Sequence, residues 1–369
     1  MLDLILHHYD ASPFSQKAQK MLGIKQLPWN SVEMPMTAPK PDLEAITGGY
    51  RGTPVLQIGS DVFIDTVAIA DALDYFFPQT TALTDDAKLF SDAMGLWADN
   101  LFAPVLGSAV ALYAADWDEH FYNDRAAVFP ALDFSTLPEG KEPMAARITQ
   151  LARQLAAQLA DGRRYLAGDE CSLADVHCWG ILWFVQSGLP HVAEDLLGLE
   201  LLTRWINRME SLGAGARQVS SYDEARAALR QPFVDPAGLP GARVRSSRLN
   251  AWWDASVEVS AIDADRGHVT GILVGQGDRF TTLRVEGDNL PVRHVHFPRQ
   301  GYDLHRARIM EQLSMNKLLQ LKDGTCRTAL VTGAAGGIGS ATAKALSKHG
   351  AKVMVTDVNE AALSALPFG

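Results

Sequence analysis

The chain opens on an alternating apolar strand, Leu2 to His7, and passes through Tyr9-Asp10-Ala11 into a helical run that carries Ala18, Met21 and Leu22. Ser12 stands at the N-cap position and Pro13 at the first helical position, the favoured order at a helix start. Val55-Leu56-Gln57-Ile58, a turn and Val62-Phe63-Ile64 read as a hairpin, after which Asp65-Thr66 opens a second helix from Val67 to Phe76. The period then becomes helical for a long stretch. Residues 89–113 carry Phe90, Met94, Trp97, Leu101, Val105 and Leu106 at near-helical spacing, and residues 144–160 repeat the pattern with Ile148, Leu151, Leu155 and Leu159. Ser172-Leu173-Ala174-Asp175, a short-acid capping box, precedes an apolar helix from Val176 to Phe184. From Gln231 to Gly241 the chain is rich in Pro and Gly and reads as a linker. Four strand-like runs follow, Ser256 to Ile262, His268 to Val274, Phe280 to Glu286 and Val292 to Phe297, divided by Asp, Gly and Asn turns. They predict a small antiparallel sheet or half-open barrel. The last pattern is a strand from Thr328 to Val331, a glycine turn, a helix from Ser340 to His349 and a strand from Lys352 to Thr356.

The stretch from Arg51 to Thr66 carries the sharpest chemistry. Pro54 has no N–H and biases Thr53 towards an extended conformation, so the Thr53 main chain can pair with an extended peptide laid beside it. A helix N-terminus offers N–H groups and partial positive charge to a carboxylate. The Thr66 hydroxyl adds a donor, and Asp65 can neutralise an ammonium. These groups together suit a small peptide with a zwitterionic end, and glutathione is such a peptide. Asp and Thr are also common N-cap residues, and a cap alone would account for the pair. The Ser12 hydroxyl lies at the positive end of a helix, where a neighbouring thiol loses its proton more easily. Tyr9 and Ser15 are nearby hydroxyls that stand as alternatives to it.

Ser12-Pro13-Phe14-Ser15, Thr53-Pro54 and Asp65-Thr66, in that order, resemble the glutathione transferase superfamily, in particular its omega-like, zeta-like and bacterial branches with Ser or Cys at the active position. The resemblance covers residues 1 to about 230. It implies a thioredoxin-like lobe over residues 1–80 and an all-helical lobe over residues 86–230. It also implies a catalytic role for Ser12 and a glutathione site built from Phe14, Lys40, Thr53, Pro54, Asp65 and Thr66. Thr53-Pro54 looks like the family's cis-proline step, with Thr where Val is usual. Asp65-Thr66 departs from the usual Glu-Ser or Asp-Ser pair but keeps the charge and the hydroxyl. With Ser at position 12, the expected chemistry is activation of glutathione, as co-substrate, for attack on a small electrophile; mixed-disulfide reduction would need a thiol there. The electrophile pocket is expected between the lobes, with Trp97, Phe102, Tyr113 and Trp117 as candidates and Phe121 and Tyr122 behind them. Aromatic residues at helical spacing more often fill cores. The irregular insert from Trp117 to Lys141 is expected to roof that pocket. A homodimer and a detoxification role follow from the resemblance, and a non-catalytic binding or assembly protein on the same fold is the alternative; a cytoplasmic location is expected from composition.

The tail resembles the opening of a short-chain dehydrogenase/reductase. Gly333, Gly337 and Gly339 lie in the strand–turn–helix context of a dinucleotide fingerprint, and Asp357 is placed for ribose hydroxyls, favouring NAD over NADP. That family's Tyr-x-x-x-Lys pair would fall beyond Gly369. An incomplete Rossmann βαβ fragment is therefore expected over residues 315–369, loosely docked and without reductase activity; an NAD-linked short-chain oxidoreductase fusion is the disfavoured alternative. Met315-Asn316-Lys317-Leu318 reads like a fresh protein start, as in a fused or truncated reading frame. The expected fold class is thus α+β and multidomain, with the small β module occupying residues 232–313.

Composition narrows the partners. A net charge of −10 over 369 residues argues against nucleic acid, whose phosphates demand a basic face. No apolar run reaches the length of a membrane span, and the start lacks a basic segment and cleavage signal. Three cysteines, Cys171, Cys178 and Cys326, without a C-x-x-C pair suit a reducing compartment. His294 and His296 alternate on one strand, but no acid or Cys lies at ligand spacing, so packed or solvated histidines are expected and no metal.

Overall fold

The structure is a computed structural model that describes residues 3–83, 88–103, 105–107, 118–130, 133, 141–189, 193–194, 197–232, 234, 252–262, 264–277, 279–287, 289–307, 328–334, 337–348 and 351–359. The chain divides into two compact units, Met1–Ala307 and Arg308–Gly369.

The first unit begins with β1 (Leu4–His8), α1 (Pro13–Ile24), β2 (Pro28–Glu33), α2 (Pro41–Thr47), β3 (Val55–Ile58), β4 (Asp61–Ile64) and α3 (Asp65–Phe76). β1 pairs parallel to β2 and antiparallel to β3, and β3 pairs antiparallel to β4, which is the thioredoxin-like arrangement. Because side chains alternate across a strand, each strand feeds two cores. Leu4, Leu6, Leu56 and Phe63 join Met21 and Leu22 of α1, Ile69 and Leu73 of α3 and the helical lobe. Ile5, Val55, Val62 and Ile64 face the other way, towards Leu43 and Ile46 of α2.

The helical lobe comprises α4 (Lys88–Asp99), α5 (Glu119–Val128), α6 (Lys141–Gln158), α7 (Leu173–Gly188) and α8 (Glu200–Ser211). Asp175 is buried in it and accepts hydrogen bonds from Leu166 N at 2.8 Å, Ser172 N at 3.1 Å, Ser172 Oγ at 2.9 Å and Trp205 Nε1 at 2.8 Å. The capping pattern in the sequence is therefore one part of a larger buried node. The lobe is not helical throughout. After α8 the chain turns at Gly213 and Gly215, both at positive φ, and forms an edge strand β5 (Ala216–Val219) parallel to β2 before α9 (Tyr222–Ala228). A Cβ on Gly215 would lie 2.4 Å from the Leu27 carbonyl oxygen, so the close return to the sheet requires glycine there.

Beyond the linker come β6 (Ser256–Ala261), β7 (His268–Gln276), β8 (Phe280–Gly287), β9 (Leu290–Pro298) and β10 (Tyr302–Arg306). The first four form an antiparallel meander, and β10 returns to pair with β6. β9 lies parallel to β4, with Asp61 opposite His294 and Phe63 opposite His296, so one ten-stranded sheet runs β10-β6-β7-β8-β9-β4-β3-β1-β2-β5. Val257, Val269, Leu283 and Val295 bury themselves on the same core as α2. Each such side chain contributes about 1.5–3 kcal/mol by burial.

The second unit holds β11 (Thr328–Thr332), α10 (Gly337–Lys348) and β12 (Lys352–Thr356), the two strands being parallel. Val331, Ala334 and Ala343 form its small core, while Leu330 and Met354 are exposed. Gly333 has φ +67°, and a Cβ on Gly339 would lie 2.2 Å from the Gly333 carbonyl oxygen, so the turn can enter the helix only with glycine at that position. Among the described residues, no helix is long and apolar enough to cross a membrane.

Candidate functional site

Ser12 is the N-cap of α1. It is buried, its backbone is extended, and its Oγ accepts from Ser15 N at 3.2 Å. The hydroxyl proton remains available for donation towards the adjoining pocket, which Ser12, Tyr9, Pro13 and Phe14 wall on one side. Ser15 is buried and outside that wall. Thr53 and Pro54 form a second wall through a cis peptide bond. Asp65 and Thr66, at the start of α3, form a third. Lys40 closes a corner, its Nζ 5.1 Å from the Tyr9 ring centroid. The glutathione-site residues inferred from the sequence thus converge on one pocket.

The electrostatics of this pocket come mostly from residues the sequence reading did not single out. Arg51, Asp124, Arg125, Asp265 and Arg266 also line it. Asp124 bonds Ala38 N at 2.9 Å and pairs with Arg51 at 3.5 Å and with Arg125. Burial works against its charge, but those donors hold its carboxyl below the ordinary value. Burial, reinforced by the Arg125 cation, lowers Lys40 to about 8. Asp65 has φ +76°, an uncommon conformation for a residue with a side chain. Its Oδ1 lies 3.2 Å from Thr66 Oγ1, while its Oδ2 receives Tyr302 OH at 3.1 Å and pairs with Arg266 Nη1 at 3.3 Å. With these side chains in place the enclosed space is about 80 Å³.

A larger cavity of about 770 Å³ adjoins the pocket, shares Phe14, Asp65, Phe102, Phe129 and Arg266 with it, and is also lined by Tyr302. Phe102 stacks on Phe184 and contacts Phe14 at a centroid distance of 5.1 Å. Of the candidate electrophile contacts, Phe102 lies here, whereas Trp97 packs against the helical core. Tyr113 and Trp117 lie outside the described residues. Phe121 and Tyr122 contact each other on α5 and do not line the cavity. The expected roof is shared: α5 contributes Asp124, Arg125 and Val128 to the smaller pocket, while Ala261, Ile262, Ala264, Arg266 and residues 298–302 of the β module line the larger one. The larger cavity is lined by charge pairs as well as rings, with Lys88 to Asp92 at 2.8 Å and Arg279 to Asp71, and by Asp99, which pairs at 2.6 Å with the buried Lys17 behind it.

The two histidines of β9 meet an acid that sequence spacing could not supply. His296 Nε2 lies 2.8 Å and His294 Nδ1 3.8 Å from Asp61 Oδ1, and all three residues are buried. Thr282 Oγ1 lies 2.9 Å from His296 Nδ1, and Val234 N donates to Asp61 Oδ2 at 2.7 Å. This hydrogen-bonded set joins β4, β9 and the linker. In the second unit, Gly333, Gly337 and Gly339 stand at the turn into α10, and Asp357 Oδ1 caps its own turn through Asn359 N at 2.9 Å.

Comparison with known proteins agrees with this architecture. The family model for the glutathione S-transferase N-terminal domain matches residues 6–81, and that for the C-terminal domain matches residues 130–212. A GST-like protein from Pseudomonas syringae is 30% identical, with a TM-score of 0.62, over 83% of this chain and 100% of its own. The chain belongs to the glutathione S-transferase superfamily. Two further transferase structures are similar at lower scores. One, from Rhodospirillum rubrum F11, is 19% identical over 62% of this chain and 93% of its own, with a TM-score of 0.45. The other, from Ceriporiopsis subvermispora and solved in complex with glutathione, is 18% identical over 57% of this chain and 97% of its own, also at 0.45. The 83% share exceeds what residues 1–230 can supply, so the likeness to the Pseudomonas protein extends past the two transferase lobes. The short chain dehydrogenase model matches residues 327–367 of the second unit. A search of curated proteins finds no match.

Proposed function

We propose that this glutathione S-transferase family member binds a glutathione-type thiol peptide in the smaller pocket and activates its thiol for attack on an electrophile held in the larger one. One observation carries the reading: Ser12 at the mouth of α1, the cis Thr53-Pro54 step and Asp65-Thr66 at the mouth of α3 wall a single pocket. The peptide would lie along Thr53, with its terminal carboxylate at the α3 N-terminus and Thr66. Its sulfur would face Ser12, where the hydroxyl and the helix dipole stabilise the thiolate. The thiol proton leaves to solvent; the sulfur lone pair forms the new S–C bond, and the electrophile either expels its leaving group or takes up a proton after addition. The electrophile itself, a homodimeric state and a cytoplasmic detoxification role are part of the same proposal.

The test is calorimetric titration of glutathione into the full chain, with turnover measured on haloaromatic, epoxide and α,β-unsaturated acceptors. Exchanging Ser12 for Ala should raise the pKa of the bound thiol by one to two units and cut kcat/KM at neutral pH by about ten- to a hundredfold. An unchanged pH profile and rate would remove Ser12 from the mechanism and return Tyr9 to consideration. The engagement of Asp65 by Arg266 and Tyr302 favours a second reading, a binding protein that keeps the fold without catalysis. That reading expects affinity without turnover on any of the three acceptor classes.

A further inference from the structure

The acid that would meet a peptide's α-ammonium is already engaged by the protein. Asp65 Oδ1 is held locally, by Thr66 Oγ1 at 3.2 Å and Val67 N at 3.4 Å. Its Oδ2 faces the β module, where Tyr302 OH donates at 3.1 Å and Arg266 Nη1 at 3.3 Å. Burial, with Tyr50 and Asp65 beside it, holds the Tyr302 phenol well above its ordinary value, so it stays a donor. Tyr50 OH lies 3.1 Å from Tyr302 OH and bonds the Arg266 guanidinium, completing the cluster.

Arg266 is not delivered by a loose loop. Arg51 N donates to the Arg266 carbonyl at 2.9 Å, and Arg51 Nη2 to the Asp265 carbonyl at 2.7 Å. Gly267 has φ +76°, and a Cβ there would lie 2.2 Å from the Gly49 carbonyl oxygen. The β6–β7 turn is thereby seated, backbone against backbone, on the segment that leads into Thr53-Pro54. An ammonium entering beside Asp65 would meet a guanidinium in place, and the two like charges repel strongly in a partly desolvated pocket. A carboxylate entering the same corner would meet Arg266, the Thr66 hydroxyl and the α3 N-terminus, all of which favour it.

We infer that Arg266, supported by Tyr302, stands in for the ligand ammonium at Asp65, so that the thiol peptide taken by this chain presents a carboxylate there with the adjacent nitrogen absent or uncharged. The inference rests on the thiol-peptide reading above and specifies the ligand class of the same pocket.

The experiment compares glutathione with its desamino analogue, glutaryl-cysteinyl-glycine, by calorimetry on the full chain and on Arg266→Ala and Arg266→Gln variants, with circular dichroism confirming their fold. The expected result is at least tenfold tighter binding of the desamino peptide by the wild-type chain and loss of that preference in the variants. A wild-type preference below tenfold overturns the inference and leaves the glutathione reading standing. A preference that persists in the variants overturns the role of Arg266. Should neither peptide bind, the thiol-peptide reading falls and takes this inference with it. If the Ala variant does not fold, the Gln variant and the wild-type ratio still decide.

Discussion

At the scale of single residues, the pocket shows how burial tunes a cation towards its ligand. Lys40 is lowered to about 8, first by burial and then by the neighbouring Arg125. The Lys40 charge therefore fades as pH rises through that value, and an anionic ligand in the pocket should lose its attraction with it. The S-methylated form of glutaryl-cysteinyl-glycine has neither thiol nor amine to titrate, so its affinity reports the protein alone. Raising the pH from 7 to 9.5 should weaken its binding by about fivefold, the scale of one solvent-screened ion pair at the mouth of a pocket. Lys40→Met should bind more weakly at pH 7 and show a flat profile. A slope that survives the substitution would assign the titration to another group.

At the scale of elements, the features legible in the sequence are those whose partners are near in the chain. Ser12 and Pro13 read as a helix start and are one, because a cap needs only its own next three residues. The same holds for Ser172 with Asp175; Asp65-Thr66 also begins a helix, but the N-cap there is Ile64, with no side-chain capping bond. Of the elements of the two transferase lobes, β1, α1, β3, β4, α3, α4, α6 and α7 follow from period, whereas β2, α2, α8 and α9 are not read, α5 falls in the stretch read as irregular, and β5 has four exposed residues with no alternation of burial. What could not be read is pairing at a distance. Asp61 meets His296 across 235 positions, and Asp65 meets Arg266 across 201, through a parallel alignment of β4 with β9 that no local pattern encodes. Asp175 shows both cases: its bond to Ser172 is local, while that to Trp205 crosses 30 positions. Removing its carboxylate strands four buried donors. Asp175→Ala should therefore cost about 3 kcal/mol, read as a lower urea midpoint at unchanged m-value, and Asp175→Asn distinctly less. A loss under about 1 kcal/mol in the Ala variant would mean that the node relaxes without it.

At the scale of the molecule, the two units make separate claims. Among the described residues, those that line both pockets belong to residues 1–307, and the second unit has its own small core. Deleting residues 315–369 should leave peptide affinity within about twofold, since a unit with its own core folds on its own account. Abolished binding would show that the site depends on the tail.

The first unit also has a global acid sensitivity written into its core. Burial holds His7, His8, His177 and His294 near 4, well below the 6.5 of an unfolded histidine. Between those values the unfolded chain binds protons that the folded chain refuses, so stability falls as pH falls from 6.5 towards 4. By pH 5 each histidine accounts for a loss of about 2 kcal/mol, and the four together for several, a large part of the 5–15 kcal/mol that usually holds a domain. Asp10, Asp99 and Asp124 are held below their ordinary value, so their contribution is lost only below about pH 4. Asp71 and Asp175, raised by burial, have the opposite sign: taking up protons earlier in the folded state, they offset part of the loss. Urea unfolding at pH 7.5 and pH 5 should thus show a drop of at least about 3 kcal/mol, with His177→Gln or His7→Gln each shrinking the difference by up to about 2. Equal stability at the two pH values would mean that these histidines accept protons inside the folded core.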